Sequence, residues 1–497
     1  MILEFSLKSL FSGIYNKCPD IRLFSGFFLR FPVERSVPPI KSLAVLPIKV
    51  TGAGPENDYI GFGLTDVLIT QLGGLRRFAV RPTSAITKYT EADLMAAGRA
   101  LQVDTVIAGH AYLSGNKLRV LAQMVSVPGN QILWSGTFDG EVDNLFTLQD
   151  AISSQLASVL IQQKNLSAQA GLAQRRSSDP QAQTNYLKGR YFEDRREWEK
   201  AFQFYQAATQ ADPQFAPAWV GMARGYCFGG GGISHPLQYM PKAKECALRA
   251  LQLDDGLADA HSVLATVLEN YDWDWRGAEA EYRKAVALPN STAAHFGYAE
   301  CMAFQGRFNE AIVEVKRVLE TDPLSLAVSS NIATIHYYAR QYDQAIEWSQ
   351  KTLELNPQHA VAYLMLGAIY EKKGMQQESI AARLKAKELS GEAPETIATL
   401  KRIMAESGWT GYWRKELEIA QAQRTKDYYP AYVIATIYAR LGEKEAAKQM
   451  LHEAFAERAL MTALKIDPIL DEVRADPEIK ALLVKIGLNP DGSQPHY

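Results

Sequence analysis

The chain has 497 residues, 47% of them hydrophobic and 22% charged, with a formal net charge of −2 at pH 7. That length exceeds what one hydrophobic core organises, so two or more domains are expected. The near-neutral balance, without long charged blocks, gives no electrostatic basis for non-specific binding to nucleic acid or a membrane surface.

Residues 1–39 show Phe, Leu and Arg without a sustained period and end in Pro32, Pro38 and Pro39, which reads as a poorly ordered leader. Its most apolar run, Leu23 to Leu29 between Arg22 and Arg30, is shorter than the roughly 18 residues that cross a bilayer and carries no A-x-A-like cleavage site. The four cysteines, Cys18, Cys227, Cys246 and Cys301, show no CxxC spacing and read as buried reduced thiols.

Residues 40–162 read as an α/β unit. Ser42 to Ile48 is a continuous apolar run, as expected of a strand covered on both faces. Leu64, Val67, Leu68 and Leu72 recur at helical spacing, Phe78-Ala79-Val80 is a short strand, and Glu91 to Leu101 a second helix. From Thr105 follow three strands separated by turn signals at Ser114-Gly115-Asn116 and Pro128-Gly129-Asn130. An amphipathic helix carries Leu145, Leu148, Ile152, Leu156 and Val159. The order βαβαβββα predicts a mixed sheet with helices packed on it.

Ser42-Leu43-Ala44-Val45-Leu46-Pro47, the run Gly61 to Ile69, Val80-Arg81-Pro82-Thr83-Ser84, Ala97 to Leu101 and Trp134 together resemble a TolB amino-terminal-like domain. In bacterial proteins of that kind, the resemblance implies, the domain sits between an N-terminal output module and C-terminal repeats. The output is often a winged-helix DNA-binding domain of the CadC type, sometimes a kinase or cyclase. Only the short leader stands in that place here, so no nucleic-acid contact is expected of this chain.

Residues 163–181 are polar and rich in small residues, with Ser167, Ala168, Gly171, Ser177, Ser178, Asp179 and Pro180, and read as a linker with few contacts crossing it. Beyond it Ala311, Ala345 and Ser379 stand 34 residues apart, as do Pro323, Pro357 and Gly391. A period of about 34 residues is that of tetratricopeptide repeats, helix pairs that bury their apolar faces only by stacking. Residues 182–391 supply six such units, the second interrupted at Gly229–Gly232. Residues 392–490 read as degenerate and capping helical units. The expected fold class is α+β: a mixed α/β domain followed by an all-α tetratricopeptide superhelix.

No nucleophile–base pair, metal-ligand spacing or phosphate loop stands out, so no catalytic, metal or cofactor-binding residue is assigned. Gly61-Phe62-Gly63 lacks the third glycine of a dinucleotide loop and reads as a close helix–strand contact. Trp273-Asp274-Trp275 reads as structural at a repeat turn. Arg76, Arg77 and Arg81 read as a solvated face. Helical spacing turns Tyr186, Arg190, Phe296, Glu300 and Tyr337 toward the concave side, where they suit an extended or helical peptide. The expected function is a non-enzymatic interaction or sensory module of a bacterial regulatory protein, holding a protein or peptide in the repeat groove. The alternatives are a fragment of a transcriptional regulator or signalling enzyme, and an envelope-associated protein. The expected location is cytoplasmic, with periplasmic or envelope association as the alternative.

Overall fold

The computed structural model describes residues 40–52, 54–75, 77–89, 93–162, 177–228, 235–289, 291–459 and 461–489. The leader, most of the linker, Arg76 and the Gly229–Gly232 run lie outside the described residues.

The first domain holds a mixed sheet of β1 (Ser42–Val45), β2 (Lys49–Thr51), β3 (Ala79–Val80), β4 (Thr105–Ser114), β5 (Lys117–Ser126) and β6 (Gln131–Glu141). The order is β3-β1-β4-β5-β6, with β2 also on β4. β1 runs parallel to β3 and β4, while β4, β5 and β6 form an antiparallel meander. The expected single strand through residues 42–48 is split. Pro47 has no N–H for the ladder, so β1 ends at Val45 and the chain resumes pairing as β2, farther along the same β4. Helices α1 (Asp58–Gly74), α2 (Leu94–Ala100) and α3 (Leu145–Gln162) accompany the sheet. Ile60, Leu64, Leu68 and Leu72 of α1 and Ile152, Leu156 and Leu160 of α3 are fully buried in one core with Leu43 and Val45. Each such side chain contributes about 1.5–3 kcal/mol by leaving water. A Cβ on Gly61 would lie 2.2 Å from the Ile48 carbonyl oxygen, the expected close helix–strand approach.

Helix pairs follow. They are α4 (Pro180–Asp194) with α5 (Trp198–Ala211), α6 (Ala216–Phe228) with α7 (Pro236–Leu253), and α8 (Ala258–Val267) with α9 (Trp275–Ala287). Next come α10 (Thr292–Phe304) with α11 (Phe308–Lys316), α12 (Leu326–Tyr338) with α13 (Tyr342–Leu355), and α14 (Ala360–Lys372) with α15 (Gln376–Leu389). The seventh unit, α16 (Pro394–Arg424), is one helical span broken at Gly408, where φ is 62°. The pair α17 (Ala431–Arg440) and α18 (Lys444–Ala456) precedes short capping helices. Ala201, Ala278, Ala311, Ala345, Ser379 and Ala447 each stand fourth in the second helix of their pair and are buried to 1% or less.

Ala345 shows why that position must be small: it packs with Tyr337 and Ile369, fully out of water. Ala345→Leu is expected to destabilise the array by about 1–3 kcal/mol through overpacking. Hydrogen exchange would find the lost protection in α12 to α14, with the sheet domain unaffected. An unchanged melting temperature would refute this register.

The repeats dock on the sheet domain, contrary to the expectation of few contacts. Leu187 of α4, 2% exposed, belongs to the sheet-domain core. Arg190 Nη2 lies 2.9 Å from Asp66 Oδ2 of α1. Arg81 is another departure. It is 3% exposed and donates to the carbonyls of Leu101, Gln102 and Thr321 at 2.8, 2.7 and 2.6 Å. A guanidinium offers five donors in a rigid fork, which lets it tie three separate carbonyls.

The C-terminal stretch also turns back on the array. Arg458 donates to the Tyr271 carbonyl at 2.6 Å, and Trp275 Nε1 to the Ile486 carbonyl at 2.7 Å. Lys465 reaches the Gln305 carbonyl at 3.4 Å, Arg340 the Ile466 carbonyl at 2.8 Å, and Lys372 the Pro468 carbonyl at 2.9 Å. Residues 458–459 and 461–486 thus cross the turn ends of the third to sixth units. Their apolar side chains share one core with the third, fourth and eighth pairs.

Candidate functional site

The first helices of successive pairs lie side by side, α8 against α10 and α10 against α12, and form one wall. That wall and the returning C-terminal part enclose a cavity of about 560 Å³. Its lining includes Glu269, Phe296, Glu300, Phe304, Tyr338 and Tyr432.

Local structure aims Glu269 inward. After Val267 the chain makes a π-turn, Leu268–Asp272, which ends in left-handed Trp273 at φ 58°. Single π-turns within helices are rare and recur at functional sites. Glu269 is 2% exposed. Burial raises its pKa well above the usual carboxylate range, the neighbouring Glu300 raises it further, and hydrogen bonds with Tyr282 and Cys301 oppose the shift. Glu300 is open to water at the cavity, and partial desolvation by the surrounding wall raises its pKa as well. Asn331 Nδ2 donates to Glu300 Oε1 at 3.1 Å and partly offsets that shift. Arg224, also on the lining, is engaged by Glu193 at 2.6 Å and Asp259 at 2.7 Å.

Of the residues expected on the concave side, Phe296 and Glu300 line this cavity. Tyr186 does not. Its ring packs 5.2 Å from that of Phe215, in the connection after the first pair, and 6.0 Å from that of Tyr205 in α5. Arg190 is taken up by Asp66 at the docking contact. Tyr337 is 4% exposed and fills the crossing with Ala345. The ring that reaches the cavity is Tyr338, and one residue turns a helix by about 100°.

Sequence reasoning missed Glu269 although a signal was present. It stands four residues after Ala265, in line with the apolar face of α8 and just past its end, where a carboxylate is out of place. Tyr432 carried no signal, because it arrives from a distant unit. Trp273 and Trp275 are structural, as expected. Trp273 stacks on Phe455 with centroids 5.0 Å apart, under the Arg458 guanidinium. Cys246 and Cys301 are buried and Cys227 half-buried, and burial pushes the Cys227 and Cys246 thiols up to about 12. Cys18 lies outside the described residues. Among the described residues no helix is long and apolar enough to cross a membrane.

Comparison with known proteins agrees with this architecture. Residues 274–330 and 349–381 match tetratricopeptide repeat families, and the chain carries these repeats. Residues 40–155 match the second domain of HilA/YgeH-like transcriptional regulators. A putative adenylate cyclase 3 from Rhizobium meliloti is 24% identical over 291 residues, covering 55% of this chain and 42% of the relative. The type IV pilus assembly protein PilF of Pseudomonas aeruginosa is 31% identical over 139 residues, 27% of this chain and 54% of the relative. The chain thus spans about half the length of these curated relatives. Among solved structures, the type IV pilus biogenesis factor PilW is 20% identical with a TM-score of 0.36, covering 44% of this chain and 97% of that one. The tetratricopeptide protein YrrB is 25% identical with a TM-score of 0.27, covering 39% and 92%. Repeats of this type make the chain a protein–protein interaction module.

Proposed function

We propose that the chain is a non-enzymatic interaction and sensory module of a bacterial regulatory protein, taking a protein or peptide partner against the inner wall of its repeats. The observation that carries this reading is the wall at Phe296, Glu300 and Tyr338. It keeps aromatic and charged groups at a water-accessible cavity on the inner side of the repeats. The match of residues 40–155 to a regulator domain supports the regulatory part. Truncating a true interface anchor costs about 2 kcal/mol, roughly a thirtyfold loss of affinity. Phe296→Ala is therefore expected to weaken a partner captured by affinity purification and identified by mass spectrometry. Lys351→Ala, which removes an exposed side chain paired with Glu347 at 2.8 Å, should leave the affinity unchanged. Equal affinity of the Phe296 variant and the parent would overturn the wall as the binding surface.

A second reading is the accessory part of a signalling enzyme, favoured by the 291-residue likeness to a putative adenylate cyclase. Cyclic AMP formed by the purified chain would replace the non-enzymatic reading. The proposed location is cytoplasmic, with periplasmic or envelope association as the alternative, and cell fractionation separates the two.

A further inference from the structure

We propose that the cavity binds a positively charged nitrogen, the ammonium or guanidinium of a basic side chain or of a free organic amine. This rests on the reading of the repeat wall as the binding surface and names the chemistry it selects.

Three observations converge on that chemistry. The aromatic rings of Phe296, Phe304, Tyr338 and Tyr432 line the cavity, and ring faces attract cations. Glu269 and Glu300 lie on the same lining, and among the described residues neither has a cationic side chain at ion-pair distance. The one guanidinium on the lining, Arg224, is already shared between Glu193 and Asp259. Finally, the π-turn commits backbone geometry to holding Glu269 in the interior. A neutral apolar occupant would strip water from Glu300 and return nothing, whereas a cation would give both acidic groups a charged partner. The volume of about 560 Å³ falls within the range of roughly 300–1,000 Å³ usual for ligand sites.

Charge state supports the same conclusion. Burial and Glu300 favour the neutral form of Glu269 in the empty site, where Tyr282 and Cys301 also face it. Arg224 and Asp259 are the remaining charged groups on the lining. A bound cation favours the ionised form, so binding should release a proton and tighten as pH rises through the elevated Glu269 pKa.

The test is calorimetric titration of the full chain with n-butylammonium and with Ac-Gly-Lys-Gly-amide. Pentanol and the norleucine peptide serve as neutral counterparts. Hydrogen bonds to charged groups support an expectation of tenfold or greater preference for each cation, on the order of tenfold to a hundredfold. The Glu269→Gln/Glu300→Gln double variant should abolish the preference, and Glu300→Gln alone, at a water-exposed position, should reduce it with the helical circular dichroism intact. Lysine-peptide affinity well above that of butylammonium identifies a partner's side chain as the source, and equal affinity a free amine. Neutral compounds binding as tightly as the cations, cation binding unchanged in the double variant, or no cation binding at millimolar concentration would each overturn the inference. Partner capture that persists in the double variant and is lost in Phe296→Ala would leave the wall reading standing while the cation reading fell.

Discussion

Trp275→Ala is expected to destabilise the repeat array by about 3–5 kcal/mol, the usual cost of emptying a buried aromatic site. The indole is 4% exposed, at the start of α9. Its Nε1 donates to the Ile486 carbonyl, more than two hundred residues away in sequence. A Cβ on Gly487, at φ +72°, would lie 2.8 Å from the same ring, so the capping chain sits directly on it. Loss of the ring therefore leaves a cavity and an unpaired carbonyl at the point where residues 458–459 and 461–486 are fastened. Hydrogen exchange should show lost protection over 461–489 first and then in the third and fourth pairs. Trp275→Phe, which keeps most of the volume and removes the donor, should cost about 1–3 kcal/mol. Protection of 461–489 that is unchanged in Trp275→Ala would mean the closure does not depend on this contact.

Arg190→Ala should cost about 3 kcal/mol and loosen the sheet domain from the first repeat. The reason is the group left behind. Asp66 is 11% exposed on its side chain and would keep only the Thr83 hydroxyl, at 2.8 Å. A buried carboxylate that loses its cation pays most of its desolvation unopposed. Removing both charges in Asp66→Asn/Arg190→Met should recover much of the stability, because no uncompensated charge remains. The measurement is denaturant unfolding of the three variants, with protease susceptibility near 163–181 as the local readout. Equal stability of the single variant and the parent would show that Leu187 and the surrounding apolar contact hold the two parts without the ion pair. The result also bears on function, since Arg190 otherwise would be free to meet a partner.

How far the sequence reaches is visible in three residues of one face. Phe296 and Glu300 stand four apart on α10, and that spacing alone set them on one side of a helix that faces the inner wall. Tyr337 was one position off, because a period locates the stripe while the final rotation depends on how α12 seats on α13 and α14. Tyr186 and Arg190 were on the expected helix face, yet that face met α1 and α5 instead of a groove.

Local pattern by itself determined the helix pairs and the small residues at their crossings. It also determined the meander from β4 to β6 and the Gly61 approach. Each follows from nearest neighbours in the chain or from a repeat that contacts only the next repeat. Tertiary structure alone decided that Arg81 is buried, that Trp275 holds Ile486, and that Tyr432 and Glu269 meet across one cavity. Those contacts join residues far apart in sequence, and their partners are backbone carbonyls and single side chains. Such groups leave no period in the sequence, because every residue offers a carbonyl and only the folded path selects which one a donor meets.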